Sequence, residues 1–429
     1  MSIFCYKLFK TMVILLLIMQ FLILNGQTSF QEIVENPEKS GGVQYAYPSN
    51  KVYSLSPFPD GYKPFYISHF GRHGSRYLVN DQEYKQILDI FKKESETNNL
   101  TILGLDILGR LKLIWNEAEG KGGDLTALGI EQQEALSKRM FVRFPDVFND
   151  EAQVTAVSTT VPRCIHSMEI FCQTLSELSP KMKILKDYSP QHMDYLNYHT
   201  KEAVVFRSAS HTWKKDYEKF EKEKLDPERL LQSLFKDIRF LTFNETDRKF
   251  IFELYNIASN LQNMQTKITL YDIFEKQELF DLWQCRNYKL YVQYANAAEN
   301  KGIMMENSKP LLKNIIEKAN YHISNNTNGA DIRYGHDGNI IPLAMLLHLQ
   351  DSYSSVSDAD DFYKAWSDFK VSPMSANIQI IFFKKEGNNE ILLKFLHNEK
   401  EIKIPLIKSY KYPYYLWSDV SNFFLGLIE

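Results

Sequence analysis

The sequence predicts an α/β protein, an open and mostly parallel sheet flanked by helices and interrupted by an inserted all-helical domain. Short apolar runs rich in β-branched and aromatic residues alternate with amphipathic stretches near both ends of the chain, the pattern of a layered α/β sheet. Between them, residues 191–320 are rich in Lys and Glu and poor in glycine and β-branched runs. At 429 residues the chain is also too long for one simple core. The expected organisation is a leader over 1–26, a first part of the α/β core over 27–190, a helical insert over 191–320 and a second part of the core over 321–429.

Each element has its own signal. Lys7 and Lys10 precede the apolar run MVILLLIMQFLIL at 12–24. That run is shorter than the roughly 20 residues that span a bilayer and suits the centre of a signal peptide. Cleavage is expected near Gly26, with export to the periplasm or beyond the cell. Residues 27–60 read as an extended, turn-rich lead. YKPFYISHF (62–70) reads as a buried strand stopping at Gly71. Helical periodicity follows over 81–95 and again over 126–144, where Thr126 is the N-cap and Pro145 the stop. AQVTAVST (152–159) is a strand, and 161–178 a helix with Pro162 in its tolerant first turn. HTWKKDYEKFEKEK and similar segments of the insert read as helices with solvated faces. Strand, tight turn and helix return over 329–349, and strands over 377–385 and 390–406.

The formal charge is −3, and Lys7 and Lys10 of the leader contribute +2 of it, so the rest of the chain carries −5. That excludes bulk attraction to nucleic acid, and any anion must be caught by a local cluster. Once the leader is removed, no membrane association is expected. Of the four cysteines, Cys5 lies in the leader. Cys164 and Cys172 are eight apart on one helix and cannot bridge each other; either could pair with Cys285, and the default expectation is three buried free thiols.

Three strand-to-helix junctions carry residues of one chemical kind: Arg72-His73-Gly74-Ser75-Arg76, Arg163, and His336-Asp337. Taken singly, each is an ordinary surface pair, cap or ion pair. In an open α/β sheet, however, the carboxyl ends of the strands face one crevice. Transfer of a phosphoryl group needs a nucleophile, neutralisation of the equatorial oxygens and a proton for the leaving oxygen. His73 suits the first role, and Arg72, Arg76 and Arg163 present planar forks for the second. His336, if protonated, adds a charged donor, and Asp337 suits the third role if its carboxyl is held as the acid. GKGGD (120–124) lacks a Ser or Thr after Lys121 and a buried strand before it, so it is a turn rather than a nucleotide loop. His69 and His73 lack the helix and glutamate of a zinc site, and neither metal nor cofactor is expected.

These motifs resemble those of the histidine acid phosphatases, the branch of the histidine phosphatase superfamily with acid phosphatases, phytases and multiple inositol polyphosphate phosphatases. RHGSR (72–76) matches that family's RHGxR, and VPRCIHSMEIF is similar to its segment bearing a third arginine. GDLTALG (123–129), YGHDGNIIPL and LLKFLHNEKEI (392–402) resemble its remaining motifs. The resemblance implies hydrolysis of a small phosphomonoester through a phosphohistidine on His73. Arg72, Arg76, Arg163 and His336 would hold the phosphate and Asp337 would donate the proton, with inositol phosphates among the candidate substrates. Leu78 stands where the family often has proline, which alters only the loop's path. His336-Asp337 stands where the inositol polyphosphate branch usually has His-Ala-Glu, which points to the aspartate donor of acid phosphatases and phytases. GRHGSRY and GDLTALG nevertheless resemble the inositol polyphosphate branch. The rival readings are a cofactor-independent phosphomutase of the same superfamily and a phosphate binder that kept the fold.

Overall fold

A computed structural model describes residues 28–238 and 245–429 of the protein. The leader expected over 1–26 lies outside the described residues. β1 (Tyr62–Arg72) is buried along almost its whole length, which is why it reads as a continuous apolar run rather than an alternation. It forms the middle of a sheet with β2 (Gln153–Ser158), β3 (Lys183–Asp187), β4 (Gly329–Gly335), β5 (Asn377–Lys385), β6 (Asn388–His397), β7 (Lys400–Ile402) and β8 (Tyr415–Leu416). The strand order is β3-β2-β4-β1-β5-β6-β7, with β8 also pairing with β6. On one side of β1 the pairings β1/β4, β4/β2 and β2/β3 are parallel. On the other side β5, β6, β7 and β8 extend the sheet in antiparallel fashion. The register sets Arg72 opposite Gly335. The chain after β1 and the chain after β4 therefore leave the sheet at the same height.

Helices cover both faces, as the α/β reading expects. Helix Ala127–Arg143 begins at Thr126, whose Oγ1 accepts the Gly129 N–H at 3.2 Å. Helix Pro162–Leu178 starts on its proline. Between β3 and β4 the described chain is helical, including Lys201–Ser208, Lys214–Lys224, Lys276–Tyr294 and Lys309–Ser324. Its buried aromatic residues, Trp283, Tyr288 and Tyr291 among them, join the apolar cluster that also contains Phe65 and Phe70 of β1. Cys164, Cys172 and Cys285 are buried free thiols. The 120–124 stretch is a turn that wraps the Asp81 carboxylate, which accepts the Gly120 and Gly122 N–H groups at 2.8 and 2.9 Å. No helix among the described residues is long and apolar enough to cross a membrane.

The lead departs from expectation. Rather than extended chain, it holds a helix at Ser29–Glu35 and a 3-10 stretch at Pro37–Gln44. A capping box drives the helix: Thr28 Oγ1 accepts from Gln31 N, and Gln31 Oε1 accepts from Thr28 N at 3.1 Å. Two further helices, Ile102–Ala118 and Trp417–Ile428, were not anticipated. Ile102, Leu105 and Leu113 are exposed while Ile107 and Leu111 are buried, so the first of these carries apolar residues on both faces and lacks a clean stripe.

Candidate active site

Because β1, β4 and β2 are adjacent and parallel, the three motif-bearing junctions open at one end of the sheet. His73 N–H donates to Gly335 O at 3.2 Å, and Thr159 N–H to Tyr334 O at 3.1 Å, which ties each loop to the neighbouring strand. The His73 and His336 rings consequently meet edge to face, with centroids 5.7 Å apart. Asp337 heads helix Asp337–Leu346, and Arg163 lies in the first turn of Pro162–Leu178. All six residues singled out in the sequence converge here.

His73 is buried, and its Nδ1 lies 2.9 Å from Gly74 O. A carbonyl only accepts, so Nδ1 carries the proton and Nε2 keeps its lone pair. Burial first, then the charges of Arg72 and Arg76, hold the imidazolium well below its ordinary range. Arg72 is also buried. Its Nη1 donates to Val43 O at 2.6 Å and Ser372 O at 2.7 Å, and its Nη2 to Asp337 Oδ2 at 3.1 Å. Arg76 donates from Nη1 to Tyr77 O, and burial with the charges of Arg72 and Arg163 brings it down to about 10, still cationic. The charge of Arg163 acts on His73, Arg72, Arg76 and His336 together, and its Nε is buried without a partner.

Two residues are held differently from the sequence expectation. Burial, then Arg163, pushes His336 down to about 4, so it is neutral rather than a charged donor. Burial raises the Asp337 carboxyl, but Arg72, the Gly338 N–H and Arg76 hold it below the usual carboxylate range. Its Oδ1 accepts that N–H at 2.8 Å. Asp337 is therefore held as the anion, and the proton it would donate must arrive with the substrate or from an acidic medium.

The sequence reading missed the bracing. A Cβ on Gly74 would stand 2.6 Å from Gly129 O, and one on Gly129 would stand 2.1 Å from Ser75 O, so two glycines let the His73 loop seat on helix Ala127–Arg143. Gln132 Oε1 accepts from Ser75 N and Ser375 Oγ, both at 2.9 Å. Gln133 Oε1 accepts from Tyr334 OH at 2.6 Å, and its Nε2 donates to Ser375 Oγ at 3.0 Å. Adjacent glutamines in EQQEAL look like a solvated face, and only the fold buries them. The helical layer also supplies Tyr294, whose Cε1 would meet a Cβ on Gly338 at 3.0 Å, and Arg207, 5.1 Å over the Tyr294 ring. Nothing local marks either residue. Lys214, in contrast, caps Ser208 O at 2.7 Å.

A neutral, buried imidazole among three guanidinium groups, with the Asp337 carboxyl hydrogen-bonded to one of them, is suited to a tetrahedral oxyanion. The comparisons agree with that class. The profile of the histidine phosphatase superfamily, branch 2, matches residues 70–398, and the chain belongs to that family. A search of curated protein sequences returned no match. Among solved structures, the multiple inositol polyphosphate phosphatase of Bifidobacterium longum in complex with phosphate superposes with a TM-score of 0.75 at 17% identity, covering 90% of this chain and 97% of that one. The phytase of D. castellii gives 0.66 at 15% identity, covering 91% and 85%, and that of Citrobacter braakii 0.55 at 13%, covering 86% and 98%. At these identities the likeness is one of fold.

Proposed function

We propose that this protein is an exported phosphomonoester hydrolase that acts through a phosphohistidine on His73. The observation that carries the reading is the hydrogen bond from His73 Nδ1 to Gly74 O, which leaves Nε2 free in a cationic crevice. Nε2 attacks phosphorus as the ester P–O bond breaks, and Arg72, Arg76, Arg163 and His336 take the phosphate oxygens. The phosphate monoanion of the ester, or an acidic medium, brings a proton to Asp337, which passes it to the leaving alkoxide. Water then attacks the phosphohistidine, returns its proton to Asp337 and releases phosphate.

Acid phosphatase or phytase-like chemistry fits the His336-Asp337 pair. Inositol phosphates are favoured as substrates by the fold shared with a phosphatase whose described substrates are inositol polyphosphates. The insert over 191–320 would wall the pocket through Arg207 and Tyr294, and the leader over 1–26 would direct export. The test is chemical: His73→Ala should abolish release of phosphate from a nitrophenyl ester, and quenching the wild type without acid should trap phosphate on His73. An alanine variant that keeps more than a few per cent of the activity excludes His73 as the nucleophile.

A further inference from the structure

The segments that hold Arg72 also wall a second cavity, of about 710 Å³, which is lined by none of the six site residues. Lys39, Lys51, Lys370 and Lys400 line it, with Tyr53 and Glu32. Glu32 is shared: its Oε2 accepts from Lys39 Nζ at 2.7 Å and its Oε1 from Lys370 Nζ at 2.6 Å. Lys51 and Lys400 enter no ion pair among the described residues. Both ammonium groups stand over the single Tyr53 ring, 5.2 and 5.0 Å from its centre. Lining lysines outnumber lining carboxylates five to three. Of those carboxylates, Glu401 is engaged with Lys394 Nζ at 2.9 Å and with Ser56 Oγ at 2.8 Å. Partial desolvation, then the charges of Lys51 and Lys39, lowers the Lys400 ammonium, so these lining cations act on one another across the cavity.

We infer that this cavity is a second anion site, taking a small molecule that bears several phosphate groups. Convergent ammonium groups on flexible stems suit dispersed oxyanions, where one bidentate phosphate would call for arginine. A concave space of this volume fits a small ligand rather than a polymer laid along a stripe. The site stands apart from catalysis and does not depend on turnover at His73. It does share a wall with the catalytic centre, since Val371 and Pro373 line the cavity and the Ser372 carbonyl between them holds Arg72 Nη1.

The test is calorimetric titration of the full chain with myo-inositol hexasulfate, which has no phosphoryl group to lose, at low ionic strength. Arg163→Ala, aimed at the catalytic crevice, should leave binding in the cavity. The double variant Lys51→Gln/Lys400→Gln should weaken that binding by about tenfold or more. Lys214→Gln/Lys215→Gln, the same change of net charge on an exposed helix, should stay within about twofold of wild type. The site is overturned if Arg163→Ala removes all binding, if the cavity variant binds as wild type does, or if the control weakens binding equally. Heat is read here and phosphate release is not, so the two readings fail separately.

Discussion

At the scale of single residues, His73 and Asp337 are held in opposite states. His73 is neutral because it is buried among cations, and its tautomer is set by a main-chain carbonyl. Asp337 is ionised because Arg72 reaches it from the neighbouring strand. A donor role for Asp337 therefore requires that the incoming ester disturb the Arg72 contact or carry the proton on its phosphate. Leaving groups separate this role from mere positioning of His336. An alkoxide needs a proton in the transition state, and a nitrophenolate needs far less help. General acid catalysis contributes about 10²–10⁴-fold, so Asp337→Asn should slow an alkyl or inositol phosphate on that order and the nitrophenyl ester distinctly less. Equal losses for both esters, measured as kcat/KM, would rule the donor role out.

At the scale of elements, the unanticipated lead explains how Arg72 is aimed. Asp368 is fully buried, and its Oδ2 accepts from Val43 N at 3.1 Å while its Oδ1 accepts from Trp283 Nε1 at 2.8 Å. That pair of bonds presents the Val43 carbonyl to Arg72. Burial pushes the Asp368 carboxyl up to about 6, the mark of an acid placed for its hydrogen bonds at a cost in solvation. Gly42 makes the approach possible, with φ of +59° and Asp368 Oδ2 only 2.2 Å from where a Cβ would stand. Removing one partner of a buried hydrogen bond leaves the other unsatisfied at about 1–3 kcal/mol. Asp368→Ala strands three donors, the Val43 and Phe369 N–H groups and Trp283 Nε1–H, so it should lower the unfolding free energy by roughly 3–5 kcal/mol and also depress kcat/KM through the Val43 carbonyl and the charge it sets beside Arg72. Denaturant unfolding together with steady-state kinetics checks this. Lost stability with full activity would break the link between lead and site.

At the scale of the whole molecule, the fold accumulates buried histidines that resist protonation: His69 is brought down to about 3, and His336 and His397 to about 4, chiefly by burial. The unfolded chain takes up these protons near pH 6.5, whereas the fold refuses them until about pH 3–4. Stability contributed by the neutral rings is present above pH 6.5 and falls as the pH drops through that window. His69 has no partner for either ring nitrogen and stacks on Phe171 at 5.3 Å, so His69→Phe should remove part of the acid loss. The difference in Tm between variant and wild type should shift in the variant's favour from pH 7 to pH 4.5, and a constant difference would show that His69 does not titrate with unfolding. The same contrast between local and assembled properties divides what each level of description yields. The sequence by itself determined the α/β class, the positions of β1, β2, β4 and β5, and all six candidate site residues, because strand hydrophobicity, the Thr126 cap and the spacing of RHGSR and HD are short-range signals. Only the tertiary structure decided the protonation of His336 and Asp337, the burial of Gln132 and Gln133, the place of Arg207 and Tyr294, and the convergence of Lys39, Lys51, Lys370 and Lys400. Each of these depends on which distant segment lies alongside, and desolvation and Coulomb forces act through space rather than along the chain.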